Sequence, residues 1–252
     1  MIIDKSLVAA RFEKSIPTYD DEAVVQRSVA HKLASLLEAC LRLPAGRLLE
    51  IGCGTGFLSR ELLQRLRPKQ MTLNDLCPAM KERVKDILSP SVRFESGDAE
   101  THPFGSGWDV IASSSAVQWL PSPSRFAERC HELLVDGGCL AFSAYGPENL
   151  REITGLTGVG LSYPGVKEWG QMLGAGWRMA QAFDETVRLT FGTPVDVLRH
   201  LQRTGVTGVR PFRWGGKTGL RRFVDAYRRQ FQDGDGVTLT YHPVYIVAFK
   251  SV

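Results

Sequence analysis

A strand, a glycine turn and a helix follow one another around residue 50, and this pattern constrains the fold more than any other part of the chain. Residues 48–51 form the short apolar run of a strand that is covered on both faces, and leucines recur at helical spacing over residues 58–66. The period changes at Gly52, Gly54 and Gly56. Because glycine has no Cβ, the backbone can turn sharply there and a ligand can lie against it.

Acidic residues stand where three successive strands are predicted to end. Glu50 lies at the end of the first strand, Asp75 closes the strand at residues 70–74, and Asp98 follows the strand at residues 92–95. The carboxyl ends of parallel strands share one edge of a sheet, where Asp75 could accept both hydroxyls of a ribose and Asp98 could reach an adenine amino group. Carboxylates add little to a phosphate site, so a nucleoside with a cationic end is favoured over a phosphate or a purely structural turn.

Strands and helices alternate regularly from residue 47 to residue 145, which predicts an α/β fold with a parallel sheet wound by right-handed crossovers. Within this part we expect helices at residues 78–88 and 123–134, and a turn at residues 136–138 that leads into the fifth strand. Later in the chain we expect weak helices at 148–153 and 166–182, a sixth strand at 186–191, and a seventh at 237–249, with Pro243 at a bulge or an edge.

The chain divides into three predicted parts. Residues 1–46 form a helical cap segment, in which one helix at 4–16 ends before Pro17 and a second begins near Val24. Residues 47–146 form the ligand-binding core, and residues 147–252 complete the sheet and carry a helical insertion at about 192–236. A segment that precedes the first strand is free to fold over the ligand edge.

Composition excludes several classes of protein. The 252 residues are 43% hydrophobic and 23% charged, which suits one globular domain with insertions. The chain has no run of about 20 apolar residues and no signal-peptide pattern, so we expect a cytoplasmic protein away from membranes. The five cysteines include no Cys-x-x-Cys pair, so we expect buried free thiols and no metal.

Positive charge is concentrated near the C-terminus, although the net charge is only +4. Such a cluster is either a solvated face or an attractant for an acidic partner. The cluster contains Arg199, Arg203, Arg210, Arg213, Lys217, Arg221, Arg222, Arg228 and Arg229.

The chain resembles the S-adenosylmethionine (SAM)-dependent methyltransferases, and more narrowly the malonyl-acyl-carrier-protein O-methyltransferases of biotin synthesis. The motifs that carry the resemblance are Tyr19-Asp20, residues 52–59, Ala116-Val117-Gln118-Trp119, residues 141–143 with Gly146-Pro147, and Leu239-Thr240-Tyr241. The family commonly has Asn-Leu where this chain has Ser114-Ser115. The resemblance implies a Rossmann-like seven-stranded sheet with helical caps, and methylation of the free carboxylate of a malonyl thioester on acyl carrier protein.

We expect the following roles. Glu50 serves the amine-bearing end of SAM, and the predicted cofactor set is Tyr19, Glu50, Gly52, Cys53, Gly54, Gly56, Asp75, Leu76, Met80, Asp98, Ala99 and Ser114. The residues predicted to flank the methyl group are Tyr19, Gln118, Trp119 and Tyr145. An acceptor carboxylate favours a cation, for which Arg151, Arg210 and Arg213 are candidates, and Arg221 and Arg222 are predicted to meet the acidic carrier. No general base is required, because a malonyl carboxylate is ionised at pH 7.

Other functions stay open at this stage. A methyltransferase of the same fold could act on a small carboxylic acid or a quinone-like carbon, and would need no carrier. A SAM-binding partner protein without activity would use the same binding residues. A nucleic-acid methyltransferase is disfavoured, because the chain has no Asn/Asp-Pro-Pro-aromatic tetrapeptide for a flipped base.

Overall fold

A seven-stranded sheet in the order β3-β2-β1-β4-β5-β10-β6 forms the centre of the molecule, and a three-stranded sheet in the order β7-β9-β8 lies beside it. The computed structural model describes residues 4–41, 44–206 and 216–251. The strands are β1 Arg47–Ile51, β2 Gln70–Asp75, β3 Val92–Ser96, β4 Trp108–Ser114, β5 Leu134–Tyr145, β6 Trp177–Asp184, β7 Val187–Phe191, β8 Gln232–Asp233, β9 Gly236–Tyr241 and β10 Pro243–Lys250. The α-helices are α1 Lys5–Glu22, α2 Val24–Cys40, α3 Phe57–Leu66, α4 Met80–Arg83, α5 Pro123–Leu133, α6 Arg151–Thr157, α7 Val166–Leu173, α8 Pro194–Arg203 and α9 Gly216–Phe231.

The pairing of the strands confirms the prediction of a Rossmann-like seven-stranded sheet. The first five strands pair in parallel, whereas β10 runs antiparallel between β5 and β6. Parallel strands need crossover connections, and α3 and α5 supply two of them. The carboxyl ends of β1, β2, β3 and β4 therefore meet at one edge of the sheet.

Strand β1 shows why its apolar run predicted burial on both faces. Leu48 belongs to one apolar layer and Leu49 to the other, and both are fully buried. Side chains alternate across a strand, so a strand between two layers needs apolar residues at consecutive positions. Glu50 interrupts the run from the same face as Leu48, and it is also buried.

Helix α1 corrects the prediction that the first helix ends before Pro17. The helix runs on to Glu22, with Pro17 inside it. Proline removes its own N–H from the helical ladder. Nearby hydroxyls donate to backbone carbonyls of this part of the helix: Ser15 to the carbonyl of Phe12, and Thr18 to that of Ser15. Tyr19 therefore lies on a continuous helix.

The second half of the chain departs furthest from the predictions. The weak helix predicted at 166–182 ends early, and its residues 177–182 belong instead to the edge strand β6. The predicted sixth strand is β7, which belongs to the small sheet. The predicted seventh strand is two strands, since the chain leaves the small sheet after Tyr241 and enters the large sheet at Pro243. Pro243 begins β10 and pairs with Tyr145, so it stands at the start of an interior strand and not at an edge.

Three boundaries also differ from the sequence prediction. The helix expected at 78–88 reduces to α4 and a single 3₁₀ turn, Lys85–Ile87. Strand β5 begins at Leu134, so the turn expected at residues 136–138 lies within its span, where Gly137 has a φ of 74°. Helix α6 begins at Arg151, three residues later than the predicted start.

None of the helices in the described ranges is both long and apolar enough to cross a membrane.

Candidate functional site

One large cleft lies at the carboxyl edge of the sheet and is covered by α1. Its empty volume is about 1170 Å³ when the part open to solvent is included. Helix α1 lines it with one stripe of side chains at helical spacing: Lys5, Val8, Ala9, Phe12, Ser15, Ile16 and Tyr19. The other wall comes from the turns that follow β1 to β4, so α1 closes the edge where the acids were predicted to meet.

The glycine turn after β1 leaves room for a ligand against the backbone. Gly52, Gly54 and Gly56 all have positive φ, at 71°, 52° and 88°. A Cβ at Gly52 would overlap the side chain of Ala116, whereas a Cβ at Gly54 would meet nothing within 4 Å. Gly54 therefore faces open space in the cleft, and Gly56 precedes the first residue of α3 without lining the cleft.

Glu50 is a buried carboxyl group that faces the cleft. The residue is 1% exposed, and its Oε2 atom has no hydrogen-bond partner among the described residues. Burial raises the pKa of Glu50 to about 8; the nearby Ser59 hydroxyl opposes this rise, and the charge of Asp75 adds to it. An unpaired buried carboxyl of this kind favours a positively charged ligand group, which would restore the ionised form.

Asp75 is held in place by the backbone. Its Oδ2 accepts a hydrogen bond of 2.8 Å from the Gly54 N–H, and its Oδ1 accepts one of 2.8 Å from the Cys77 N–H. Burial nevertheless raises the pKa of Asp75 above its usual value. Each carboxylate oxygen keeps a free lone pair, so the arrangement leaves two acceptors for a pair of ligand hydroxyls.

Asp98 is engaged by a residue that the sequence did not single out. The Lys5 ammonium lies 2.7 Å and 2.6 Å from its two carboxylate oxygens, and it also pairs with Glu100. Burial alone would raise the pKa of Asp98, but the hydrogen bond from Lys5 holds it below the usual value. This ion pair joins the first turn of α1 to the loop after β3.

The other predicted cofactor residues fall at the same cleft. Cys53 and Ser114 follow β1 and end β4, and the Ser114 hydroxyl lies 3.1 Å from that of Ser143. The remaining lining residues of this group are Leu76, Met80 and Ala99. These three side chains contribute mainly apolar surface, against which a flat aromatic base can pack.

The residues predicted to flank the methyl group divide into two pairs. Tyr19 and Trp119 line the cleft, and the Tyr19 ring stacks on Phe57 with centroids 6.0 Å apart. Gln118 is not among the residues that line the cleft. Its side-chain amide donates instead to the Ser115 carbonyl at 2.5 Å. Tyr145 does not line the cleft either. Its hydroxyl lies 3.4 Å from the hydroxyl of Ser115, which does line it.

The candidate arginines lie away from the cleft or outside the described residues. Arg151 pairs with Glu148 at 3.1 Å and approaches Glu152 at 3.8 Å, and it is not among the lining residues. Arg221 and Arg222 are exposed on α9. Arg210 and Arg213 fall within 207–215, for which the structure gives no description.

Sequence reasoning missed several residues that line the cleft, and three of its polar ones bear on the site: Lys5, Gln26 and Ser115. Lys5 belongs to the same helical stripe as Tyr19, and that stripe would have been visible had the first helix been extended through Pro17. Gln26 is a polar residue at a buried position of α2, 5% exposed. Ser115 has a φ of 54°, which no pattern in the sequence indicated.

Metal ligation has no basis in the part of the chain that the structure describes, because it contains no group of three His, Cys, Asp or Glu side chains arranged to hold an ion. All five cysteines are free, and four of them are buried.

Two comparisons define the class of protein. The family of methyltransferase domains matches residues 49–142, which run from β1 into β5. The N-methyltransferase NodS of Bradyrhizobium japonicum has the same fold, with a TM-score of 0.53 and 14% identity over 88% of this chain and 94% of that one. The family match and the acid-lined cleft define a SAM-dependent methyltransferase.

Relatives that match nearly the full chain narrow the class further. The malonyl-[acyl-carrier protein] O-methyltransferase of Bacteroides thetaiotaomicron is 41% identical over 98% of this chain and 99% of its own length. That of Bacteroides fragilis is 44% identical over 98% of this chain, which spans 50% of that relative's length. The chain belongs to the malonyl-[acyl-carrier protein] O-methyltransferase family.

Proposed function

We propose that this enzyme transfers a methyl group from SAM to the free carboxylate of a malonyl thioester on acyl carrier protein, an early step of biotin synthesis, in the cytoplasm. The observation that carries the proposal is the 41% identity to a malonyl-[acyl-carrier protein] O-methyltransferase along almost the whole of both chains. The cleft under α1 supports it, because its acids and open glycine turn suit a cationic nucleoside.

The residues present fit SAM. The unpaired Oε2 of Glu50 would receive the ammonium of the methionine end, and the open space at Gly54 would admit that end against the backbone. Asp75 would accept the ribose hydroxyls with its free lone pairs. Leu76, Met80 and Ala99 would pack against the adenine base. Asp98 would accept a hydrogen bond from the adenine amino group after the Lys5 ammonium moves off its carboxylate.

The chemistry demands positioning and exclusion of water. SAM supplies a methyl group on a positively charged sulfur, and a malonyl carboxylate is already ionised at neutral pH. The new O–C bond forms as the C–S bond breaks, and no proton moves. Tyr19, Phe12 and Trp119 cover the cleft with aromatic surface, which would keep water from the reacting atoms.

The carrier would dock on the basic surface of α8 and α9, within the helical substrate cap at about 192–236. We define this basic surface by its described members, Arg199, Arg203, Lys217, Arg221, Arg222, Arg228 and Arg229. Arg199 and Arg203 are paired with Asp196 and Glu22. Arg221 and Arg222 are exposed on the last helix of the cap, so an acidic carrier could reach them.

A panel of acceptors tests the proposed function. Initial rates would be measured with malonyl-acyl carrier protein, malonyl-coenzyme A, malonate and a quinone-type acceptor. The proposal predicts the highest kcat/KM on the carrier-bound thioester. A higher value on a free acid or on the quinone would reject the carrier-bound acceptor. Tight binding of S-adenosylhomocysteine without turnover of any acceptor would indicate a binding protein instead.

A further inference from the structure

The cleft offers an incoming carboxylate no free cation from the residues that the structure describes. Lys5 is the one cation among the described lining residues, and its ammonium is occupied by Asp98 and Glu100. Glu50 and Asp75 add further negative charge when they are ionised. An acceptor carboxylate must therefore be held by neutral donors, or by an arginine of residues 207–215.

Neutral polar groups do stand at the cleft with unused hydrogen-bonding capacity. The indole Nε1 of Trp119 is buried and lacks a partner in the described ranges. The same is true of the amide oxygen of Gln26, which lines the cleft from α2. Buried polar atoms are nearly always satisfied, and these two line the cleft, so they are the groups with which a ligand there can pair.

The Gln26 amide can serve a carboxylate by rotating. In the present orientation its oxygen has no hydrogen-bond partner among the described residues, and the Tyr145 and Tyr241 hydroxyls lie near the amide. Rotation by half a turn would let the Tyr145 hydroxyl donate to the oxygen and would turn the NH₂ group towards the cleft, where it can donate, while the Tyr241 hydroxyl stays bonded to His200 Nε2 at 2.9 Å. The Tyr145 hydroxyl is available for this, because Ser115 contacts it only at 3.4 Å.

A neutral site also suits the reaction. The attacking carboxylate and the sulfonium lose opposite charges together, so the transition state carries less charge than the reactants. An arginine ion pair would stabilise the carboxylate before reaction more than at the transition state, whereas neutral donors orient it with a smaller effect of that kind. Surroundings of low polarity favour loss of charge.

We propose that Trp119 and Gln26 form the recognition site for the acceptor carboxylate, with the indole N–H and the amide NH₂ donating to its oxygens. This rests on the proposed function and adds Gln26, which no pattern in the sequence identified. Tyr145 and Ser115 are positioning residues behind the amide.

Two variants test the site with malonyl-acyl carrier protein as acceptor, and a third is their control. Trp119→Phe deletes the N–H and keeps an aromatic ring, and Gln26→Met deletes the amide at similar length. We expect each to lower kcat/KM by about ten- to a hundredfold, the usual effect of one hydrogen bond to a charged group. Dissociation constants for S-adenosylhomocysteine should stay within about threefold of wild type, which shows that the cleft is intact. Trp169→Phe is the matched control: Trp169 is 1% exposed with an equally unpaired Nε1, but it packs on Phe142 outside the cleft.

Arg210→Ala and Arg213→Ala test the cationic alternative. The proposal predicts that both keep most of the activity on malonyl-pantetheine, which lacks the carrier. A loss with either arginine variant, while Trp119→Phe and Gln26→Met remain at wild-type kcat/KM, would overturn the neutral site and leave the proposed function standing. An inactive wild type would overturn both.

Discussion

At the scale of single residues, the site is organised by carboxyl groups whose environments differ. Glu50 is buried with its Oε2 atom unpaired among the described residues, Asp75 is fixed by two backbone N–H groups, and Asp98 is paired with Lys5. The raised pKa of Glu50, about 8, means that it is mainly protonated at neutral pH in the ligand-free protein. Each of the three acids lies at or just after the end of a strand. Their protonation and hydrogen bonding before a ligand binds nevertheless differ.

Proton release tests the role of Glu50. An ammonium placed beside Glu50 favours its ionised form, so binding S-adenosylhomocysteine at pH 6.5 should release close to one proton per ligand. Calorimetry in two buffers of different ionisation enthalpy measures the number. Glu50→Gln should release none and bind at least tenfold more weakly. If the wild-type protein binds S-adenosylhomocysteine without releasing a proton, the ligand ammonium does not lie beside Glu50.

Glu50 also makes the stability of the ligand-free protein depend on pH. The native state keeps a proton up to about pH 8 that the unfolded chain loses near its ordinary pKa of 4.5, so stability falls as pH rises between these values. Glu50→Gln has no proton to lose at this position, so this fall in stability with rising pH should disappear in the variant. Its Tm should exceed that of wild type by a few degrees at pH 8, and the difference should narrow towards pH 5. A constant difference across this range would contradict the assignment.

At the scale of elements, α1 is a lid that is fastened at both ends. Lys5 joins its first turn to Asp98, and Glu22 at its last turn accepts a hydrogen bond of 2.7 Å from Arg203 of α8. The Thr18 hydroxyl adds a bond of 3.1 Å to the Arg203 carbonyl. We therefore expect these attachments to slow the exit of a ligand that lies beneath α1.

Loosening the first turn should speed ligand exchange. Lys5→Met removes the ion pairs with Asp98 and Glu100, so we expect the dissociation rate of S-adenosylhomocysteine in stopped-flow measurements to rise several-fold. Lys85→Met is the control, because Lys85 pairs with Glu82 on an exposed surface away from the cleft. Equal rates for wild type and Lys5→Met would show that α1 does not limit exit.

The errors of sequence prediction also belong to the scale of elements. Pro17 indicated the end of a helix, but only tertiary contacts decide whether the helix continues past one missing donor. Residues 177–184 have weak periodicity and become a strand by pairing with β10, a partner more than 60 residues later in the chain. The run at 237–249 contains no glycine to mark its passage between two sheets. Each of these features depends on contacts between distant parts of the chain, which local sequence patterns do not predict.

At the scale of the whole molecule, local patterns in the sequence predict the core, but they do not predict how the segments of the proposed acceptor site come together. The glycine turn and its acids lie within single strand-to-helix connections, so their positions follow from the alternation of residues 47–145. The acceptor end brings together Tyr19 of α1, Gln26 of α2 and Trp119 after β4. No spacing in the chain reveals that three such segments converge.

Charge reversal on the basic surface tests carrier docking. Arg221→Glu with Arg222→Glu should raise KM for malonyl-acyl carrier protein by about tenfold at low salt, with less effect as salt increases and none on malonyl-pantetheine. The matched control is Lys69→Glu with Arg93→Glu, which changes the same number of exposed charges near the other end of the sheet. Equal KM values for both double variants would contradict docking on α9.

The most direct test of the central claim is mass spectrometry of malonyl-acyl carrier protein after incubation with the enzyme and SAM. The proposed reaction predicts one added methyl group, located by fragmentation on the free carboxylate, with loss of the product in Glu50→Gln at limiting SAM. An unchanged carrier mass, or a methyl group on any other atom of the carrier or its malonyl group, would contradict it.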